Sequence, residues 1–105
     1  MYHRFNENKY PSTNIQMDIF KKQVEIINTN DFKFYNPIKF EKEFNIPKSE
    51  KKILLTIDDA FTSFYEYAWP YLKKNKIPFI LFISTKAVGN SGYMTWDEIK
   101  EIEKE

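Results

Sequence analysis

A strand-forming run ends on two adjacent carboxylates in Lys51-Lys52-Ile53-Leu54-Leu55-Thr56-Ile57-Asp58-Asp59-Ala60. The run from Ile53 to Ile57 is almost continuously apolar, which is typical of a parallel strand buried on both faces. Ligands of α/β folds bind at the carboxyl ends of the strands, so Asp58 and Asp59 lie where chemistry is expected. Two neighbouring carboxylates also repel each other, and a cation relieves that repulsion. The sequence therefore predicts an acidic functional site after this strand.

Strands and helices are predicted to alternate on both sides of this run. Before it, the patterns predict a short strand at residues 2–5, an amphipathic helix at about 15–28, a strand at 32–35, and one or two helical turns at 38–44. After it, the apolar spacing from Phe61 to Leu72 predicts a helix in which Pro70 causes a kink or a restart. A second buried strand is predicted at 77–83, a loop at 86–93, and a helix capped by Thr95 and Glu98 after that.

This order of elements predicts an α/β fold. Alternating strands and helices form βα units around a parallel sheet or barrel. Right-handed crossovers place the strand ends on one face. Asp58 and Asp59 are therefore expected to share a rim with the residues after Ile83, and His3 is a candidate to join them.

Composition excludes several classes of protein. The 105 residues form at most one small domain, and 42% hydrophobic and 18% aromatic residues suffice for a core. The 16 basic and 15 acidic side chains nearly cancel, which argues against nucleic acid as a partner. The chain has no cysteine, so disulfides, cysteine metal sites and thiol nucleophiles are excluded. No apolar run approaches the ~20 residues that span a bilayer.

The residues alone leave two interpretations of the acid pair open. Asp58 and Asp59 could complement a helix N-terminus, an effect of about 0.3–1 kcal/mol. Alternatively, one carboxylate holds a divalent cation while its neighbour takes a proton from water. The same two interpretations apply to His3, the single histidine: its role is either structural or functional. Phe61, Phe64 and Tyr65 are predicted to be core residues rather than a sugar platform.

Four segments resemble motifs of the polysaccharide deacetylase family (carbohydrate esterase family four). Thr56-Ile57-Asp58-Asp59-Ala60 resembles its T-F-D-D-G motif, and Tyr2-His3-Arg4-Phe5 resembles a Y-H-R segment near the start of many members. Residues 71–83 are similar to the family's L-K-K-x-x-I-P-A-T-F-F-V run, and Met94-Thr95-Trp96-Asp97-Glu98-Ile99 is similar to its L-T-W-D-E-L helix start. The four segments occur in register over nearly the whole chain.

The resemblance implies a distorted (β/α) TIM-like barrel. It also implies an enzyme that removes N-acetyl groups from a polysaccharide or amino sugar by hydrolysing a carbon–nitrogen bond that is not a peptide bond. It implies Asp58 as the general base, Asp59 as a ligand of a divalent metal, expected to be zinc, and His3 as a substrate-binding residue. Members of the family are expected at the cell envelope or outside the cell.

Three departures from the family pattern set further expectations. Ala60 stands where the family has glycine, and Ile57 where it has phenylalanine. The family's H-[ST]-x-x-H motif, which supplies two metal-binding histidines, follows the helix that begins here at Thr95, and the sequence stops at Glu105 before it. Residues 1–105 are therefore predicted to be the N-terminal portion of a single deacetylase catalytic domain, without the C-terminal part. Such a piece is expected to be inactive and to bind zinc weakly.

Two rival functions remain open. A non-catalytic relative would bind sugar through an aromatic rim without hydrolysis. A phospho-receiver signalling domain would place magnesium beside the same acid pair, but it needs an acceptor aspartate at the end of a later strand. The predicted strand at 77–83 ends in Ser84 and Thr85 instead.

Overall fold

The computed structural model describes residues 1–36 and 52–104. Strands and helices are interspersed along these two ranges, although some strands follow each other without a helix between them. They are β1 (Arg4–Phe5), β2 (Asn14–Ile15), α1 (Met17–Thr29), β3 (Lys33–Phe34), β4 (Lys52–Ile53), β5 (Thr56–Asp58), a π-helix (Phe64–Ala68), α2 (Trp69–Lys74), β6 (Ile80–Phe82) and α3 (Trp96–Glu103). The helical turns predicted at 38–44 lie outside the described residues. None of the helices described is long and apolar enough to cross a membrane.

All three strand pairs are parallel. β1 pairs with β2, β3 with β4, and β5 with β6. An isolated parallel bridge between Tyr2 and Ile57 also sets the start of the chain beside β5. The predicted α/β fold with parallel strands is confirmed.

Aromatic side chains from distant parts of the chain form the centre of the core. Phe5, Phe20 and Phe64 are fully buried. The Phe5 ring meets the Phe20 ring at 5.1 Å in a T-shaped contact and the Phe64 ring at 5.9 Å. Helix α1 contributes its apolar face through Met17, Phe20 and Val24, as the three- and four-residue spacing predicts. Phe61 and Phe64 are buried, also as predicted, whereas Tyr65 is only partly buried and packs against the core.

The central strand differs from its prediction. The apolar run forms two strands, β4 and β5, separated by Leu54 and Leu55. β4 hydrogen-bonds to β3 and β5 to β6, so the ladder changes partner between them. Leu55 is buried, but Leu54 is 38% exposed. The prediction of one strand buried on both faces was wrong, because the apolar pattern does not show where a strand changes its partner.

The second predicted strand is shorter and more exposed than expected. β6 covers three residues, and Phe82 and Ile83 at its end are 54% and 37% exposed. Within the described residues β6 pairs only with β5, so its other edge carries no strand. The prediction of a buried strand at 77–83 was therefore wrong for this part of the chain.

Pro70 coincides with a change of helix type. The Trp69 N–H donates to the Phe64 carbonyl, five residues earlier, which is the π-helical spacing. Pro70 then lies in the first turn of α2, as predicted. The backbone is helical without a gap from Thr62 to Lys74, so α2 continues directly from the π-helix. At α3 the predicted capping box is present, with Thr95 and Glu98 bonding each other's backbone N–H groups.

The Tyr2 phenol makes the stability of the chain sensitive to alkaline pH. Its hydroxyl donates to the Gln23 side chain, and its ring meets Phe20 edge-on at 4.9 Å. Burial raises the pKa of Tyr2 above its ordinary value of 10.0. Between that value and the raised one the folded state holds a proton that the unfolded state has lost, so stability falls as pH rises.

We expect the midpoint of urea unfolding to decrease from pH 8 to pH 11, with the loss setting in at about pH 10. Tyr2→Phe removes this titrating group, so its midpoint should decrease less over the same interval. An equal decrease in both proteins would show that Tyr2 does not contribute. The remaining decrease in the variant is expected from Tyr65 and Tyr71, whose pKa values are also raised. The cause for Tyr65 is the hydrogen bond that its hydroxyl donates to the Glu101 carboxylate, and the cause for Tyr71 is burial.

Candidate active site

Asp58 lies at the end of β5, where the first residues of the chain meet it. Its backbone N–H donates to the Tyr2 carbonyl at 2.8 Å, and the Tyr2 N–H donates to the Thr56 carbonyl at 3.0 Å. These two hydrogen bonds hold the start of the chain alongside β5. They bring the next residue, His3, to the acid pair.

The His3 imidazole lies against the Asp58 carboxylate. Nε2 of His3 is 3.7 Å from Oδ2 of Asp58, and the two side chains are 25% and 28% exposed. This distance exceeds a hydrogen bond but allows an electrostatic contact. The structure therefore places two of the three predicted site residues side by side.

The second carboxylate oxygen of Asp58, Oδ1, has no hydrogen-bond partner among the described residues. Oδ1 is buried, and no donor in the described residues reaches it. Buried polar atoms in native proteins nearly always have hydrogen-bond partners, and exceptions occur at catalytic positions. Oδ1 of Asp58 is thus a buried acceptor that no donor in the described residues engages.

Asp59 and Ala60 form a turn with an unusual backbone. Their φ angles are 72° and 50°, in the left-handed region that costs an L-residue about 1–2 kcal/mol. Ala60 is also buried. The glycine that the family motif has at this position would adopt the same φ without a steric penalty. Asp59 itself is exposed.

The helix-capping interpretation of the acid pair receives little support. The residue at the N-cap of the π-helix is Ser63, several positions after the two carboxylates. Asp58 belongs to β5 and Asp59 to the turn, so neither occupies the cap.

The loop between β6 and α3 holds the turn from its other side. The Met94 N–H donates to the Ala60 carbonyl, and the Thr62 N–H donates to the Gly92 carbonyl, both at 2.9 Å. Phe61 and Tyr93 form an antiparallel bridge between these bonds. Gly92 has a φ of 84°, which glycine adopts readily. The predicted loop at 86–93 is confirmed and contacts the site.

Sequence reasoning missed a set of polar contacts beneath the turn. The Ser63 hydroxyl donates to the Glu7 carboxylate at 2.8 Å and accepts the Phe5 N–H at 3.0 Å. Glu7 also pairs with Arg4 at 3.1 Å. Ser63 is separated from Glu7 by 56 residues and from Phe5 by 58, so no local pattern could have indicated the contact.

The described residues do not form a metal site by themselves. A zinc site needs at least three protein ligands in most proteins. No group of three His, Cys, Asp or Glu side chains in residues 1–36 and 52–104 is arranged to hold a metal ion. Asp59 can offer one carboxylate, and the expected zinc would need ligands beyond this part of the chain.

Comparison with known proteins identifies the family. The family model for polysaccharide deacetylases matches residues 45–105, which include β5, Asp58 and Asp59. The chain belongs to the polysaccharide deacetylase family. It is 33% identical to a poly-beta-1,6-N-acetyl-D-glucosamine N-deacetylase of Staphylococcus aureus over 87 residues, and this alignment covers 80% of the present chain.

Solved structures of deacetylases share the fold of this family member. IcaB from Ammonifex degensii superposes with a TM-score of 0.85 at 31% identity, over 98% of this chain and 46% of its own. The Streptococcus pyogenes deacetylase PplD superposes with a TM-score of 0.79 at 24% identity, over 99% of this chain and 50% of its own. These likenesses confirm the predicted fold class, an α/β fragment of the deacetylase (β/α) barrel.

The polysaccharide deacetylase relatives are considerably longer than this chain. It spans 29% of the Staphylococcus aureus protein and 37% of a Bacillus subtilis relative that is 27% identical over 104 residues. The chain thus corresponds to about half of the solved structures and about a third of these curated relatives.

Proposed function

We propose that this chain is part of a metal-dependent hydrolase that removes N-acetyl groups from a polysaccharide or amino-sugar substrate. The observation that carries the proposal is the Asp58 carboxylate, with Oδ2 facing His3 at 3.7 Å and Oδ1 buried without a donor. Membership of the polysaccharide deacetylase family supports the reaction class. The Staphylococcus aureus relative named for an N-acetylglucosamine polymer supports the substrate class.

Asp58 is proposed as the general base. Hydrolysis of an N-acetyl group requires water to attack the carbonyl carbon, and the water must lose a proton as its oxygen bonds to that carbon. The unpartnered Oδ1 of Asp58 is the described acceptor that is buried and not already engaged. The C–N bond then breaks, acetate leaves, and the amine nitrogen takes up a proton.

His3 is proposed as a substrate-binding residue beside that base. Its Nε2 lies 3.7 Å from Oδ2 of Asp58, so the imidazole would lie beside an acetyl group on which Asp58 acts. In its protonated form a histidine donates hydrogen bonds from both ring nitrogens. His3 could thereby hold the amide or donate to the departing nitrogen.

Asp59 is proposed as one carboxylate ligand of a divalent metal, with zinc as the expected ion. It follows the base directly in the chain and is exposed at the turn. One carboxylate does not hold zinc tightly. The remaining ligands must come from outside the described residues, so metal dependence is part of the proposal.

We further propose that residues 1–105 are the N-terminal portion of one catalytic domain. The open edge of β6 and the exposed Phe82 support this, because parallel barrel strands are normally paired on both sides. A groove of about 780 Å³ lies beside this strand. Its apolar lining includes Trp69, Leu72, Phe79, Leu81, Ile99 and Ile102. Further βα units of the barrel would cover both features.

Acetate release from N-acetylglucosamine oligomers tests the function. We expect no release by the 105-residue chain alone and zinc-dependent release by a protein that also carries the residues encoded after Glu105. Release and tight zinc binding by the isolated chain would contradict the fragment assignment. Oligomer binding without release by the longer protein would favour the non-catalytic sugar-binding alternative.

A further inference from the structure

We propose that Arg4, Glu7 and Ser63 are positioning residues that hold His3 against Asp58 by fixing the turn at Asp59 and Ala60. We refer to these three side chains as the brace. Its link to catalysis rests on the proposed function, but its effect on the geometry of His3 and Asp58 does not.

The brace begins with a bridge through Ser63. The buried Ser63 hydroxyl accepts the Phe5 N–H at 3.0 Å and donates to Oε2 of Glu7 at 2.8 Å. Phe5 belongs to β1, whereas Ser63 directly precedes the π-helix. The hydroxyl therefore ties the strand that directly follows His3 to the segment that follows the acid pair.

Arg4 closes the brace. Its Nη1 is 3.1 Å from Oε1 of Glu7, so Glu7 engages Arg4 with one carboxylate oxygen and Ser63 with the other. The Arg4 guanidinium lies 3.7 Å from the centre of the Phe61 ring and 4.3 Å from that of Tyr10. A planar guanidinium suits such stacking, and a lysine ammonium does not reproduce it. Arg4 thus contacts Phe61, the residue next to Ala60.

Both ends of the acid turn are consequently tied to the same short segment, residues 2–5. At one end the Asp58 N–H bonds the Tyr2 carbonyl, and at the other Ser63 bonds the Phe5 N–H. His3 lies between these two attachment points in the sequence. A change in the separation of Phe5 and Ser63 should therefore move the His3 ring relative to Asp58.

The strain of the turn makes this support necessary. Asp59 and Ala60 both have positive φ angles without being glycine. Such conformations persist only where the surroundings over-determine them, and they cluster at functional sites. The loop bonds to Ala60 and Thr62 restrain one side of the turn. The brace restrains the other side.

The chemistry of the brace is costly for a purely structural element. Nε of Arg4 is buried without a hydrogen-bond partner among the described residues. A partly buried ion pair, with side chains 17% and 29% exposed, can often be replaced by apolar residues without loss of stability. Its directional bonds instead fix where Phe5, Phe61 and Ser63 lie. That is what a positioning role requires.

The single histidine of the chain supplies a direct test. The ring signals of His3 are recorded by NMR in the parent chain, Ser63→Ala and Glu7→Gln, each with and without Asp58→Asn. We expect Asp58→Asn to shift the His3 signals of the parent. In the Ser63→Ala and Glu7→Gln backgrounds most of that shift should be lost, because His3 and Asp58 no longer meet.

Lys21→Gln provides a matched control. It removes a cation that lies 5.3 Å from the Tyr71 ring, a stacked contact on a different part of the fold. We expect its His3 signals, and their response to Asp58→Asn, to equal those of the parent. A general effect of removing a charged side chain would change the His3 signals of this variant as well.

Several results would overturn the brace. One is a folded Ser63→Ala or Glu7→Gln chain whose His3 signals still respond fully to Asp58→Asn. Another is a parent chain in which Asp58→Asn leaves His3 unchanged. Loss of folding in both brace variants would assign the three residues to stability and remove the positioning role. Failure of acetate release in the longer protein, with the His3 response as expected, would remove the proposed function and leave the brace intact.

Discussion

We expect Asp58→Asn to lower acetate release by about 100- to 10,000-fold in a deacetylase domain that includes this chain, the range that one general base contributes. The amide of asparagine cannot take the proton from the attacking water, although its shape matches that of the carboxylate. Oδ1 of Asp58 is buried and has no donor among the described residues, so the substitution disrupts no described hydrogen bond of that atom. The fold should persist. Acetate release is measured alongside bound metal and the melting temperature.

Two further variants separate the proposed roles of the acid pair. Asp59→Asn should lose bound metal as well as turnover, whereas Asp58→Asn should keep its metal. Asp97→Asn, an exposed carboxylate in the first turn of α3, serves as the control and should retain both. Equal loss of metal and turnover on replacing Asp58 would contradict the division of labour between the two residues.

Phe20→Ala should lower the free energy of unfolding by about 3–5 kcal/mol, the usual range for truncating a buried phenylalanine. Phe20 is fully buried, and its ring meets Phe5 at 5.1 Å and Tyr71 at 6.1 Å. Small domains are stable by only about 5–15 kcal/mol. The expected loss is therefore a large fraction of the total stability, and urea titration followed by circular dichroism can measure it.

Ile26→Ala is the matched control for Phe20→Ala. Ile26 lies on the same helix and is 60% exposed, so its truncation leaves no cavity. Alanine also favours helix more than isoleucine does. We expect a change of about 0.5 kcal/mol or less. A loss similar to that of Phe20→Ala would mean that helix α1 does not pack through the face assigned here.

The features predicted correctly from the sequence are those that local patterns determine. The three- and four-residue spacing of Met17, Phe20 and Val24 predicted the buried face of α1. Thr95 and Glu98 predicted a capping box, and Pro70 predicted a first helical turn. An acid pair following an apolar run predicted carboxylates at the end of a parallel strand. Each of these depends on residues within a few positions of one another.

The features that were predicted wrongly or missed depend on partners that are distant in sequence. Periodicity does not tell which strand β4 or β5 pairs with, so the break at Leu54 could not be predicted. The exposure of Phe82 depends on what covers the far edge of β6. The contact of Ser63 with Glu7 joins residues 56 positions apart. The roles proposed for Asp58, Asp59 and His3 remain predictions, because geometry alone does not measure turnover or metal binding.

The long separation between the two halves of the site affects how the chain folds. Phe5 and Ser63 are 58 residues apart, and closing a loop of that size must precede any benefit from the contacts it makes. On the ribosome the segment around His3 emerges well before Asp58, so the contact between the two side chains cannot form until Asp58 has been synthesised. We therefore expect α1 to form early and the acid turn late. A nascent chain stalled before β5 would hold a folded helix and no catalytic geometry.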